Sequence, residues 1–78
     1  MPTLLRAGPY RFYFWSHESN EPPHVHVDHD DCSVKFWLDP VNLADNLGFN
    51  AKELRKIERI IADHEHEFLE AWYEHFGQ

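Results

Sequence analysis

Residues 21–29 read Glu-Pro-Pro-His-Val-His-Val-Asp-His, and no other stretch restricts the fold of this chain so strongly. Each proline holds φ near −65° and drives the residue before it towards extended geometry, so Pro22 and Pro23 enter the run already stretched. Residues 24–28 alternate polar and apolar side chains, which is the period of a strand whose successive side chains point to opposite faces. His24, His26 and Asp28 then share one face, and Val25 and Val27 the other. At roughly 3.3 Å of rise per residue the two imidazoles stand about 6–7 Å apart. That is close enough to hold a common ion, a phosphate or a proton. The same pattern also suits two half-buried or solvated histidines with no chemical task, and two residues alone do not separate these readings.

The flanking segments extend this strand into a sheet. Residues 10–16 are dense in aromatic side chains of high β propensity, and Ala7-Gly8-Pro9 before them reads as the turn from a short first strand at residues 3–6. Residues 17–23 form a polar loop. A third strand runs from residue 23 or 24 to 28, and a turn at Asp28-His29-Asp30-Asp31 leads to a fourth at 32–38. Asp39-Pro40 ends the sheet, and the local pattern leaves residues 41–49 undecided between a short strand, a turn of helix and an ordered loop. From Asn50 the period becomes helical. Asn50 and Glu53 have the spacing of a capping box, and Leu54, Ile57, Ile61, His64, Phe68, Trp72 and Phe76 come after them at three- and four-residue steps until Gly77. The expected architecture is α+β, a single domain over residues 1–78 with an antiparallel meander of three to four strands packed against one long C-terminal helix.

A chain of 78 residues buries only about 60% of its unfolded surface, so its core must be aromatic-rich or shared with a partner. Three Trp, three Tyr and six Phe supply the first option. Fourteen acidic against seven basic residues give a formal charge of −7, which excludes sequence-independent nucleic-acid binding by the whole surface. Any polyanion site must be local, and the charges are in fact segregated: Lys52, Arg55, Lys56 and Arg59 precede Asp63, Glu65, Glu67, Glu70 and Glu74. The single cysteine, Cys32, forms no internal disulfide. No apolar leader opens the chain and no apolar run approaches the roughly 20 residues of a membrane span, so a cytoplasmic protein without a membrane partner is expected.

Strand parity sorts the side chains. Phe12, Phe14, Val25, Val27, Val34, Phe36 and Leu38 belong beneath the helix, and Arg11, Tyr13, Trp15, His24, His26, Asp28, Lys35 and Trp37 gather on the other face. Aromatic and cationic side chains mixed on a sheet face suit a protein interface, and they also suit base stacking with phosphate contact. Three chemistries fit the histidines. A divalent metal such as zinc would be held by His24, His26 and Asp28 or His29. Acid–base work on a ribose or phosphate would use both imidazoles, with Arg11, Lys35, Arg55 or Arg59 holding the anion. Phosphoryl transfer would need the His, apolar, His, apolar, His alternation of the histidine-triad hydrolases, from which this chain departs at Asp28. Cys32 reads as a small packed residue, His64 as a core histidine, and His66 and His75 as surface residues.

Met1-Pro2-Thr3, Arg11-Phe12, the run 21–27, Lys35-Phe36-Trp37-Leu38, Gly48-Phe49-Asn50, Glu53-Leu54-Arg55 with Ile57, and Trp72 together resemble a widespread small prokaryotic family. It is catalogued as domain of unknown function 4160, and Glu-Pro-Pro-His-x-His-Val is its signature. The resemblance covers essentially all 78 residues. It implies a free-standing cytosolic protein, often encoded beside a second small protein in a layout similar to toxin–antitoxin modules. The positions it singles out are His24 and His26, with Glu21, Lys35, Trp37 and Arg55 behind them. The expected function is one half of such a pair, acting on RNA or a nucleotide as a histidine-dependent nuclease or nucleotide-processing protein. The alternative is a non-catalytic module that binds metal, the neighbour-encoded protein or a second copy of itself through Tyr13, Trp15 and Trp37.

Overall fold

Among the described residues five strands pair in sequence order, each antiparallel to the one before it. They are β1 (Thr3–Ala7), β2 (Tyr10–Tyr13), β3 (His24–His29), β4 (Cys32–Leu38) and β5 (Val41–Leu47). Helices α1 (Ala51–Asp63) and α2 (Glu65–Phe76) complete the chain order. This computed structural model describes residues 3–15 and 20–77, so Ser16 of the expected second strand and the first part of the expected loop lie outside the described residues.

The fifth strand answers the question that the pattern of residues 41–49 left undecided. Lys35 pairs with Asp45 and Phe36 with Leu43, so Ala44 is an extra residue in β5 and the period-two signal breaks in mid-strand. An edge strand with such a bulge, exposed at Leu43, Asp45 and Leu47, carries little alternation to read. Gly48 closes it with φ +100°, and a Cβ there would stand 2.9 Å from Cys32 Sγ, so glycine is required both by the backbone and by the approach. Two-residue turns join β3 to β4 through Asp30 and Asp31, and β4 to β5 through Asp39 and Pro40. Asp30 takes the left-handed φ of 54° that aspartate tolerates better than most residues.

The one long helix is corrected to two. His64 leaves helical geometry at φ −116° and ψ 15°. Its ring Nδ1 donates to the Ile60 carbonyl at 2.8 Å, while its backbone N–H is shared between the carbonyls of Ile60 and Ile61. A side chain competing for a ladder acceptor distorts the helix at that point. The interruption is a single residue, because the Phe68 N–H again reaches the His64 carbonyl at 2.9 Å. The apolar stripe therefore continues across the kink. At the start of α1 the Asn50 side chain accepts from the Glu53 N–H at 2.9 Å, which is half of the expected capping box. The Glu53 carboxylate turns instead to Tyr10, whose hydroxyl donates to it at 3.4 Å. Gly77 ends α2 in the left-handed region, its N–H bonded to Tyr73 O at 2.8 Å.

Ile57, Ile61, Phe68 and Trp72 pack on Phe12, Phe14, Val25, Val27, Val34, Phe36 and Leu38, the apolar set that parity assigns to the helix side. Leu54 is only partly buried at its margin. Trp72 meets Phe14 edge-on at 5.2 Å and Phe76 at 4.1 Å, and it is 2% exposed. Trp72→Ala should cost about 3–5 kcal/mol, as for a full core position. Chemical denaturation checks this, and an unchanged midpoint would show that the stripe does not carry the fold.

Candidate functional site

The antiparallel registers lay the polar residues of four strands out as rows across the face opposite the helices. Tyr13, His26, Lys35 and Asp45 form one row, and Arg11, Asp28, Ser33 and Leu47 the next. His24, Trp37 and Asn42 form a third. Neighbours within a row are a strand spacing apart, close enough for direct contact.

The rings make one continuous cluster. The His26 imidazole stacks on Tyr13 with centroids 5.5 Å apart and meets the edge of Trp15 at 6.2 Å. His24 lies edge-on to His26 at 5.1 Å and to Trp37 at 5.7 Å. The cations cap this cluster. Arg11 sits 4.8 Å over the Tyr13 ring and donates from Nε to Thr3 Oγ1 at 3.1 Å, while Lys35 Nζ sits 4.6 Å over Trp37 and is ion-paired with Glu21. Both positions suit a cation–π contact.

Asp28 is engaged by hydroxyls. The Tyr13 hydroxyl donates to its carboxylate at 3.1 Å and Ser33 Oγ donates at 2.9 Å. Burial, followed by the Asp28 charge and the hydrogen bond to it, pushes the Tyr13 phenol up to about 12. A cavity of about 160 Å³ opens beside His26 and is lined by Ser33, Val34, Lys35, Asp45 and Leu47 as well.

His24 departs from the expected placement. It shares a face with His26, as parity requires, yet it is fully buried. As the first residue of β3 it lies at the end of the strand, where Trp72 of α2 approaches to 4.9 Å and Trp37 closes the other side. Its Nδ1 donates to the Pro22 carbonyl at 2.9 Å, which places a proton on that nitrogen and orients the ring. The ring thus joins the hydrophobic core to the outer aromatic cluster.

Arg11, Tyr13, Trp15, His26, Asp28, Lys35 and Trp37 come together as expected, but Arg55 and Arg59 do not join them. They lie on the exposed side of α1, whose opposite side is packed on the core, and there they share a groove with Lys52 and Lys56. The sheet stands between them and His26. The metal trio is likewise not assembled. Among the described residues no three His, Cys, Asp or Glu side chains form a group that could hold a metal ion, and Asp28 serves Tyr13 and Ser33 instead. Sequence reasoning missed Ser33, Asp45 and Leu47 beside His26. Ser33 was within reach of the parity argument, whereas Asp45 and Leu47 depended on the unread fifth strand.

A family model described as Domain of unknown function (DUF4160) matches residues 10–73. The chain belongs to this family. The DUF4160 match runs from the first residue of β2 into α2 and takes in the whole ring cluster. No curated protein and no solved structure matches the chain.

Two outcomes test this geometry. His24→Ala removes a wholly buried ring and should cost about 2–4 kcal/mol, against less than about 1 kcal/mol for the partly exposed His26→Ala. Equal unfolding midpoints would refute the division of roles. Tyr13 also makes stability depend on alkaline pH. Below the ordinary tyrosine value of 10 both folded and unfolded chains hold the proton, so its contribution is intact; between 10 and about 12 the unfolded chain releases it first and stability falls. Tyr10, raised by burial and then by Glu53, acts in the same direction. Urea midpoints followed through this range should decline less steeply in Tyr13→Phe than in the wild type, and equal slopes would remove Tyr13 from the account.

Proposed function

We propose that this domain is the protein-binding member of a toxin–antitoxin-like two-gene pair, and that it engages its neighbour-encoded partner through the sheet face centred on His26. The observation that carries this reading is the continuous cluster of Tyr13, Trp15, His26, His24 and Trp37, with Trp15 37% exposed and Arg11 over the Tyr13 ring. Tyr, Trp and Arg are the side chains that most often anchor protein interfaces, and rings held by their neighbours lose little freedom on binding. The charges favour protein over RNA. Lys35 is already paired with Glu21, Arg11 is bonded to Thr3, and Asp28 and Asp45 lie among them. A polyanion would meet a face on which Lys35 is ion-paired and two carboxylates stand near, on a chain of net charge −7.

A second reading rests on the cavity beside His26, where Lys35 and Ser33 offer an ammonium and a hydroxyl to a phosphate. In it His26 is the working base for RNA or a nucleotide, and His24 is its buried support.

One set of variants decides between the two. If the domain binds a partner, Trp15→Ala should weaken a stoichiometric complex with the neighbouring gene product by about thirtyfold, as losing an anchor worth about 2 kcal/mol does. His26→Ala should also weaken it, expression should be harmless and cellular RNA should stay intact. RNA cleavage that His26→Ala abolishes, or a complex indifferent to Trp15→Ala, would overturn the binding reading.

A further inference from the structure

The outer side of the helical layer has a charge order that neither proposed function uses. Lys52, Arg55, Lys56 and Arg59 fall at i, i+3, i+4 and i+7 on α1, so they form one stripe, and all four are exposed. Glu67, Glu70 and Glu74 fall at i, i+3 and i+7 on α2 and are exposed too. Because a single residue separates the helices, counting at 100° per residue places both stripes on the same outward side, opposite Ile57, Ile61, Phe68 and Trp72. The outward stripe is thus basic from Lys52 to Arg59 and acidic from Asp63 to Glu74, while Glu53 and Glu58 lie to its sides.

Lys52 stands in the first turn of α1, where positive charge opposes the macrodipole, and among the described residues none of the four side chains is hydrogen-bonded or ion-paired. This contrasts with Arg11 and Lys35 on the sheet, both of which are engaged. On α2, among the described residues, the stripe's one ion contact is His66–Glu70 at 3.4 Å.

We infer that a second copy of this chain covers the helical layer, in an antiparallel two-fold dimer centred on Asp63. Lys52 and Glu74, Lys56 and Glu70, and Arg59 and Glu67 lie eleven, seven and four residues to either side of Asp63. A two-fold axis at that residue therefore sets each of these three cations opposite a carboxylate, with Arg55 opposite Ala71, and it does so twice, because a two-fold interface repeats every contact. Asp63 falls opposite Asp63 of the second copy, with that copy's Arg59 one helical turn away. Tyr73, 42% exposed, falls opposite Glu53 and between Lys52 and Lys56, where its ring meets cations. The repulsion between the net negative charges of the two copies is largely screened beyond the Debye length, about 10 Å at 0.1 M salt, while the facing pairs act within it. Helical layers packed together leave both sheet faces outward, so the dimer presents two copies of the ring cluster.

Sedimentation equilibrium on the full chain tests this. The wild type should be dimeric at about 0.1 M salt and dissociate at about 1 M, where screening reaches contact distances. Lys56→Glu with Arg59→Glu turns four facing pairs repulsive and should raise the dissociation constant by about thirtyfold or more. Glu67→Lys with Glu70→Lys should do the same. The decisive measurement mixes the two variants: each alone is monomeric, yet together they should form a heterodimer, since the acidic α1 of one then faces the basic α2 of the other. Circular dichroism should show both folded, as all four positions are exposed. A wild type that stays monomeric, a dimer that survives either reversal, or no heterodimer on mixing would overturn the inference, as would a monomer that uses these cations to bind RNA.

Discussion

A strand in the middle of a sheet has both edges committed, and its register decides which face every neighbouring side chain occupies. β3 is that strand, flanked by β2 and β4 in a five-strand order. A slip of one residue would place His26 and Asp28 under the helices and turn Val25 and Val27 to the other face. Each buried polar group without a partner costs about 1–3 kcal/mol, so the slipped sheet has no compensating gain. The observed register keeps Val25 and Val27 fully buried and gives Asp28 its two hydroxyl partners. The ring cluster, the rows and the cavity beside His26 all depend on this one choice.

His24 links the two sides of the molecule. Its ring touches Trp72 on the core side and His26 and Trp37 on the outer side. The aromatic packing is consequently continuous from Phe76 through Trp72 and His24 to Tyr13 and Trp15. A change at the outer face thus bears on rings that also hold α2 in place. That coupling makes stability measurements a necessary companion to any functional variant of the histidine pair.

The two faces differ in how their charge is handled. On the sheet, Arg11 and Lys35 are capped by rings and tied to Thr3 and Glu21, which leaves aromatic surface as the recognisable feature. On the helices, the four cations of α1 and the Glu67, Glu70 and Glu74 carboxylates of α2 stand outward in two separate stripes. Surface ion pairs are individually weak, but a repeated, register-specific set discriminates among orientations and partners even where its net stabilisation is modest. One side of this small domain therefore suits anchoring by rings and the other suits alignment by charge.

Local patterns determined much of this. The alternation of residues 24–28 and 32–38, the Asn50 cap, the apolar stripe and the Gly77 stop are properties of neighbouring residues, and period, capping chemistry and backbone freedom are local physics. The sorting of Phe12, Val25, Val27, Val34 and Phe36 to one face, and of Tyr13, His26, Asp28 and Lys35 to the other, came from the same parity. Three things were not legible in the pattern, and the first and last of them were decided by tertiary structure alone. β5 exists because β4 offers it an edge, and its bulge at Ala44 erased the signal that would have announced it. The helix breaks where the His64 ring finds the Ile60 carbonyl, a competition that spacing does not reveal. Finally, His24 is buried although parity sends it outward, because burial depends on what approaches from elsewhere in the chain, and Trp72 lies forty-eight residues away in sequence.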